Sequence, residues 1–129
     1  MITKNEEKFL EQCLSSVKNI VDEIVIVDTG STDKTKELAK KFNVKIFDFK
    51  WVDDFSISRN ESLKHATKDW VLVLDADEFI ENKDLKKMKD AIENAENDIA
   101  GFSLEQRSYI NNFFEGAVKN DSDLSLLRI

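Results

Sequence analysis

Three short apolar runs constrain this chain more than any other feature. They are EIVIVD (23–28), VKIFDF (44–49) and WVLVLD (70–75). Each is too short for a helix. The first and third are continuous runs without polar alternation, the pattern of strands buried on both faces of a parallel sheet. Helical stripes separate them. Phe9, Leu10, Cys13, Leu14 and Val17 mark a helix from Glu6 to Lys18, with Asn5 as its N-cap and Glu6 and Glu7 in its first turn. Thr35, Leu38, Ala39 and Phe42 mark a second, started by Thr32 or Asp33 after a turn at Thr29–Ser31. A weaker stripe covers Ser56–Ala66, and Leu85, Met88, Ala91, Ile92 and Ala95 define a helix from Asn82. Segments 101–108 and 123–129 read as later strands.

The alternation β-α-β-α-β-α predicts right-handed crossovers and an α/β fold: a mainly parallel sheet with helices on both faces. A length of 129 residues suits a single domain over 1–129. Only the stub Met1-Ile2-Thr3 precedes the first helix, where such a domain has a strand. That strand is either cut short or very brief.

Charge and composition remove several classes. A formal charge of −7 argues against non-specific nucleic-acid binding, which needs a basic face. No apolar run is long enough to cross a bilayer and no signal-peptide pattern opens the chain, so a cytoplasmic setting is expected. The single cysteine, Cys13, falls on an apolar helical stripe and reads as a buried, inert thiol.

The carboxylates are more informative. Two of the buried runs end on aspartate, at Asp28 and Asp75. Ligands of open parallel sheets bind beyond the carboxyl ends of the strands, so both should address one crevice. Asp77 follows Asp75 at i+2, on the same side of an extended segment, and Glu78 comes next as a solvated or structural neighbour. A hard divalent cation, Mn²⁺ or Mg²⁺, takes such oxygen ligands, commonly one or two carboxylates plus substrate phosphates. Arg59, in ISRNES, is a candidate for bidentate pairing with a phosphate or a strand-end aspartate. His65, Trp51 and Trp70 read as structural or rim residues rather than as a base or stacking platforms.

Asp28-Thr29-Gly30-Ser31 also spells the local signature of an aspartic protease. That class needs a β-rich chain and a second such motif, and the helical stripes argue against it. Phosphohydrolases of the haloacid-dehalogenase type place their D-x-D on the first strand, whereas here it closes a late one.

Taken together, KNEEKFLEQCLSSV, VDEIVIVDTGSTDKT and WVDDFSISRNESLKHATKDWVLVLDADE resemble, over roughly residues 1–80, the N-terminal half of a family 2 glycosyltransferase of the Rossmann-like GT-A fold. The resemblance implies an inverting, metal-dependent transfer of a sugar from a nucleotide-diphosphate sugar, by default a UDP-sugar, to a glycan, lipid or protein acceptor. It implies that Asp28 binds the base or ribose and that Asp75 lies near the ribose. Asp77 would be the main ligand of the Mn²⁺ or Mg²⁺ ion, with Asp75 beside it. Arg59 would lie in the nucleotide pocket, and Lys4, Asn5 and Glu6 would edge the base. The family's general base is an acidic residue further along the chain. Glu105 and Glu115 lack its context, so the base is unassigned. The alternative reading is a non-catalytic nucleotide- or metal-binding module, or a donor-binding fragment without a base.

Overall fold

A computed structural model of the chain describes residues 1–104, 107–108, 118–119 and 124–128. The elements in chain order are β1 (Ile2–Thr3), α1 (Leu10–Val17), β2 (Val25–Asp28), α2 (Thr35–Ala39), β3 (Lys45–Asp48), α3 (Phe55–Lys64), β4 (Trp70–Val73), α4 (Asn82–Glu93), β5 (Gly101–Leu104), β6 (Arg107–Ser108), β7 (Val118–Lys119) and β8 (Leu124–Arg128).

The fold is α/β. β1, β2 and β3 form a parallel sheet in that order, with Ile2 opposite Val27 and Asp28 opposite Asp48. β2 is the central strand, and Ile26, Val27 and Asp28 are buried on it, as its unbroken apolar run requires. β3 lies at the edge, with Lys45 and Asp48 exposed and Ile46 and Phe47 half-buried between them. The opening strand is short, and the carbonyl of Met1 extends its ladder by accepting from the Val27 N–H at 3.0 Å.

WVLVLD departs from its expected place. β4 pairs antiparallel with β8, which pairs in turn with β5, forming a second sheet in the order β4-β8-β5. It is half-buried along its length rather than enclosed on both faces. Segments 101–108 and 123–129 do contribute strands, and β8 supplies the partner that β4 takes.

α1 links the two sheets. Leu10 and Leu14 pack with Ile26, Ala39 and Ala76, while Cys13 and Val17 pack with Leu74, Ile80 and Met88. Neighbouring residues of one stripe thus serve two core clusters. Phe9, expected on that stripe, is 49% exposed, because the regular helix begins only at Leu10. Asn5 is not its N-cap. Its backbone is left-handed (φ 60°) and its side chain turns to another loop. α3 begins as a capped helix should: Asp54 is extended and accepts from the N–H groups of Ser56 and Ile57.

Candidate functional site

The carboxyl end of β2 leads into a braced turn. Asp28 Oδ1 accepts from the Gly30 and Ser31 N–H groups at 3.1 and 2.8 Å, and Oδ2 accepts from the Thr3 hydroxyl at 3.2 Å. Burial pushes its carboxyl up, but the hydrogen bonds from Ser31, Gly30 and Thr3 outweigh that and hold it below the usual range. Asp28 is 1% exposed, so its side chain supports the turn from inside. Gly30 adopts φ 106°, a conformation L side chains rarely take.

The segment after β1 is laced to this turn by reciprocal bonds. Asn5 N–H donates to Ser31 Oγ at 2.9 Å, and Thr32 N–H donates back to Asn5 Oδ1 at 2.8 Å. Glu6 N–H donates to Thr35 Oγ1 at 2.7 Å. Glu7 N–H donates to Asp33 Oδ2 and Lys34 N–H donates to Glu7 Oε2, both at 3.1 Å. Asp33 also accepts from Thr35, through both its N–H and its hydroxyl. Residues 5–7 and 31–35 therefore form one double loop above the parallel sheet. Sequence spacing could not reveal this lacing, since each residue alone reads as a local cap. Lys4 and Asn5 are exposed and Glu6 is half-buried on the same rim.

A second group gathers past β4. Arg59 Nη2 donates to Asp75 Oδ1 at 2.6 Å, which realises the pairing with a strand-end aspartate anticipated for it. Arg59 Nη1 is buried and has no hydrogen-bond partner among the described residues. Asp75 N–H donates to Glu78 Oε2 at 2.7 Å, closing a tight loop around Ala76, and Asp77 stands exposed at its tip. Cys13 Sγ donates to the Asp75 carbonyl at 3.4 Å from below. Burial pushes the Cys13 thiol up to about 12, as expected of an inert core cysteine.

The loops share an electrostatic field. Glu6 is pushed above its usual range by desolvation and then by Asp77, Asp33 and Asp75. Glu78 is raised by burial and by the Asp75 and Asp77 charges, against the opposing hydrogen bond from the Asp75 N–H and the Arg59 charge. Glu6 thus faces the Asp75–Asp77 loop closely enough to feel it. Asp28 is bonded to its own turn and, among the described residues, makes no hydrogen bond to that loop. Excess negative charge over oxygen donors suits a hard cation. No group of three or more acidic, cysteine or histidine side chains stands ready to enclose one among the described residues. That donor set fits a cation held by one or two carboxylates and completed by a substrate's own oxygens.

Remaining candidates fall where structural roles were expected. His65 stacks on Phe47 with centroids 3.6 Å apart and meets Glu61 at 3.2 Å. Trp51 donates to Asp53 and abuts Phe55 edge-on, and Trp70 stacks on Phe102. One contributor was missed. Lys36 Nζ lies 2.8 Å from Asp48 and 4.0 Å from Asp28, the two carboxylates directly opposite each other in the ladder. Its place at i+8 from Asp28, as the second residue of α2, carries no recognisable signal in a lysine-rich sequence. Glu105 and Glu115 lie outside the described residues.

With this geometry in view, similarity to known proteins is specific. A TPR repeat-containing protein of Synechococcus elongatus is 49% identical over 78 residues, 60% of this chain and 19% of that protein. Glycosyltransferase SunS of Bacillus subtilis is 41% identical over 87 residues, 64% of this chain and 21% of that enzyme. The chain thus spans about a fifth of the length of these relatives. Among solved structures, Staphylococcus aureus TarS (residues 1–349) superposes with a TM-score of 0.71 at 22% identity, covering 98% of this chain and 45% of that one. The mannosyltransferase PcManGT of Pyrobaculum calidifontis, solved with GDP-Man and Mn²⁺, gives 0.67 at 22% identity, covering 81% and 34%. These likenesses establish a GT-A fold. Residues 1–124 match glycosyl transferase family 2, and the chain belongs to that family.

Proposed function

We propose that this chain forms the donor side of an inverting glycosyltransferase that uses a nucleotide-diphosphate sugar, with UDP as the nucleotide and Mn²⁺ or Mg²⁺ as the cation. The observation that carries the reading is the Arg59–Asp75 pair beside the exposed Asp77, under a field that raises both Glu6 and Glu78. Among the described residues Arg59 Nη1 is a buried donor without a partner, and a diphosphate oxygen would satisfy it. Asp77, with Asp75 behind it, would hold the cation. That ion would supply Lewis-acid stabilisation of the departing diphosphate. The double loop of residues 5–7 and 31–35 would bound the nucleotide, with Lys4, Asn5 and Glu6 on its rim and Asp28 fixing the turn from beneath. The solved relatives lend support: one holds GDP-Man and Mn²⁺, and the glucosyl-3-phosphoglycerate synthase of Mycobacterium tuberculosis has been solved with UDP.

In the transfer, the bond from the anomeric carbon to the diphosphate breaks as a bond to the acceptor oxygen forms on the opposite face. The acceptor's proton passes to a general base, and the nucleoside diphosphate leaves. The acceptor would be a glycan, lipid or protein hydroxyl. Isothermal titration tests the donor side. UDP should bind more tightly with Mn²⁺ than without, and Asp77→Asn should abolish that difference while leaving the fold intact. Metal-independent UDP binding by the native chain, or an unchanged Mn²⁺ effect in Asp77→Asn, would overturn the assignment.

A further inference from the structure

The loop that carries Asp75 and Asp77 is braced from within and from beneath. β4 ends at Val73, and residues 75–78 turn tightly: the Glu78 N–H donates to the Asp75 carbonyl at 3.1 Å. In return the Asp75 N–H donates to Glu78 Oε2 at 2.7 Å. α1 holds both ends of the loop. Cys13 Sγ donates to the Asp75 carbonyl at 3.4 Å, and the Ile80 N–H donates to Ser16 Oγ at 3.2 Å. Ala76 is 3% exposed and packs in the core with Leu10 and Ile26, while Asp77 beside it is exposed.

The bond from Asp75 to Glu78 has the form of one half of a capping box, in which a glutamate reaches back three residues to a backbone N–H at a helix start. Here no helix follows it. Residues 79–81 are irregular and α4 begins only at Asn82. The bond therefore serves the turn itself. Strand alternation stops with β4, so it does not set Asp77 beside Asp75; the turn does. After desolvation, the charges of Asp77 and Asp75 both bear on Glu6, so the two carboxylates address the same side. From this geometry we infer that Glu78 is a positioning residue for cation binding: by accepting the Asp75 N–H it fixes the turn that aims Asp75 and Asp77 at one ion. The inference rests on the proposed donor site and adds to it a residue that acts through Asp75 rather than on the ion. Groups that orient metal ligands in this way tune affinity without contacting the metal. If Glu78 contributed only negative charge, an uncharged acceptor in its place would fail; if it holds the turn, that acceptor serves as well.

The test compares the native chain with Glu78→Gln, which keeps the acceptor without the charge, and Glu78→Ala, which removes both. UDP affinity is measured by isothermal titration with and without Mn²⁺, beside amide exchange at Asp75. Glu78→Ala should speed exchange at Asp75 and cut the Mn²⁺ enhancement of UDP affinity, each by about tenfold or more, with metal-free UDP affinity unchanged. Glu78→Gln should match the native chain throughout. A full Mn²⁺ enhancement in Glu78→Ala, an equal loss in Glu78→Gln, or a parallel loss of metal-free binding in Glu78→Ala would overturn the inference. The native chain separates this result from the donor reading. Without any Mn²⁺ enhancement there, that reading fails and takes the inference with it; where the native chain shows the enhancement, the variants alone decide.

Discussion

Single residues here act through atoms whose surroundings the sequence conceals. Asp28 was legible as a strand-end carboxylate, since an apolar run that stops on aspartate leaves few other readings. Its enclosure by Thr3, Gly30 and Ser31 was not, because Thr3 is 25 residues away in sequence. The Met1 amine makes a sharper case. Burial, and then the Arg59 charge, lower it from 8.0 to about 6, against the opposing pull of Asp75 and Cys13. Between those two values the unfolded chain binds more protons than the folded one, so stability rises with pH. The folded state should therefore gain about 2 kcal/mol from pH 6 to pH 8. Urea denaturation of the chain beside an N-acetylated copy checks this. The acetylated copy should lack the added pH dependence, and parallel curves would refute the assignment.

At the scale of elements, periodicity located the helices and runs of β-branched residues located β2, β3 and β4. What it did not locate was the partner of β4. A half-buried strand and a fully buried one share the same apolar spelling, and only β8, over 50 residues later, decides which sheet β4 joins. The start of α1 was misplaced for a related reason. Asn5 has a capping side chain, but the competing acceptor role toward Thr32 draws it away and tips its backbone to φ 60°. The double loop offers a test. Asn5→Gly keeps the left-handed backbone and loses only the clamp, whereas Asn5→Ala loses both. Asn5→Ala should therefore cost about 1–2 kcal/mol more than Asn5→Gly in urea midpoints. Equal losses would show that the backbone conformation there is not enforced.

The whole molecule turns on α1. The family was readable because the motifs occur in order within one stretch, whereas the join between the two sheets depends on packing that no motif encodes. Leu14 touches the cluster under the parallel sheet and Cys13 the cluster under β4. Leu14→Ala should cost about 2–5 kcal/mol, the range for a buried leucine, and near- and far-ultraviolet signals should still melt together. Separate transitions would mean that the sheets fold independently. Cys13 gives this arrangement a use. Its thiol is 1% exposed, held near pKa 12, and bonded to the carbonyl of Asp75. A thiol so placed meets a labelling reagent only when the structure opens. The rate at which a native sample takes up such a reagent is therefore a clock, counting how often the carboxylate loop lifts away from the core beneath it.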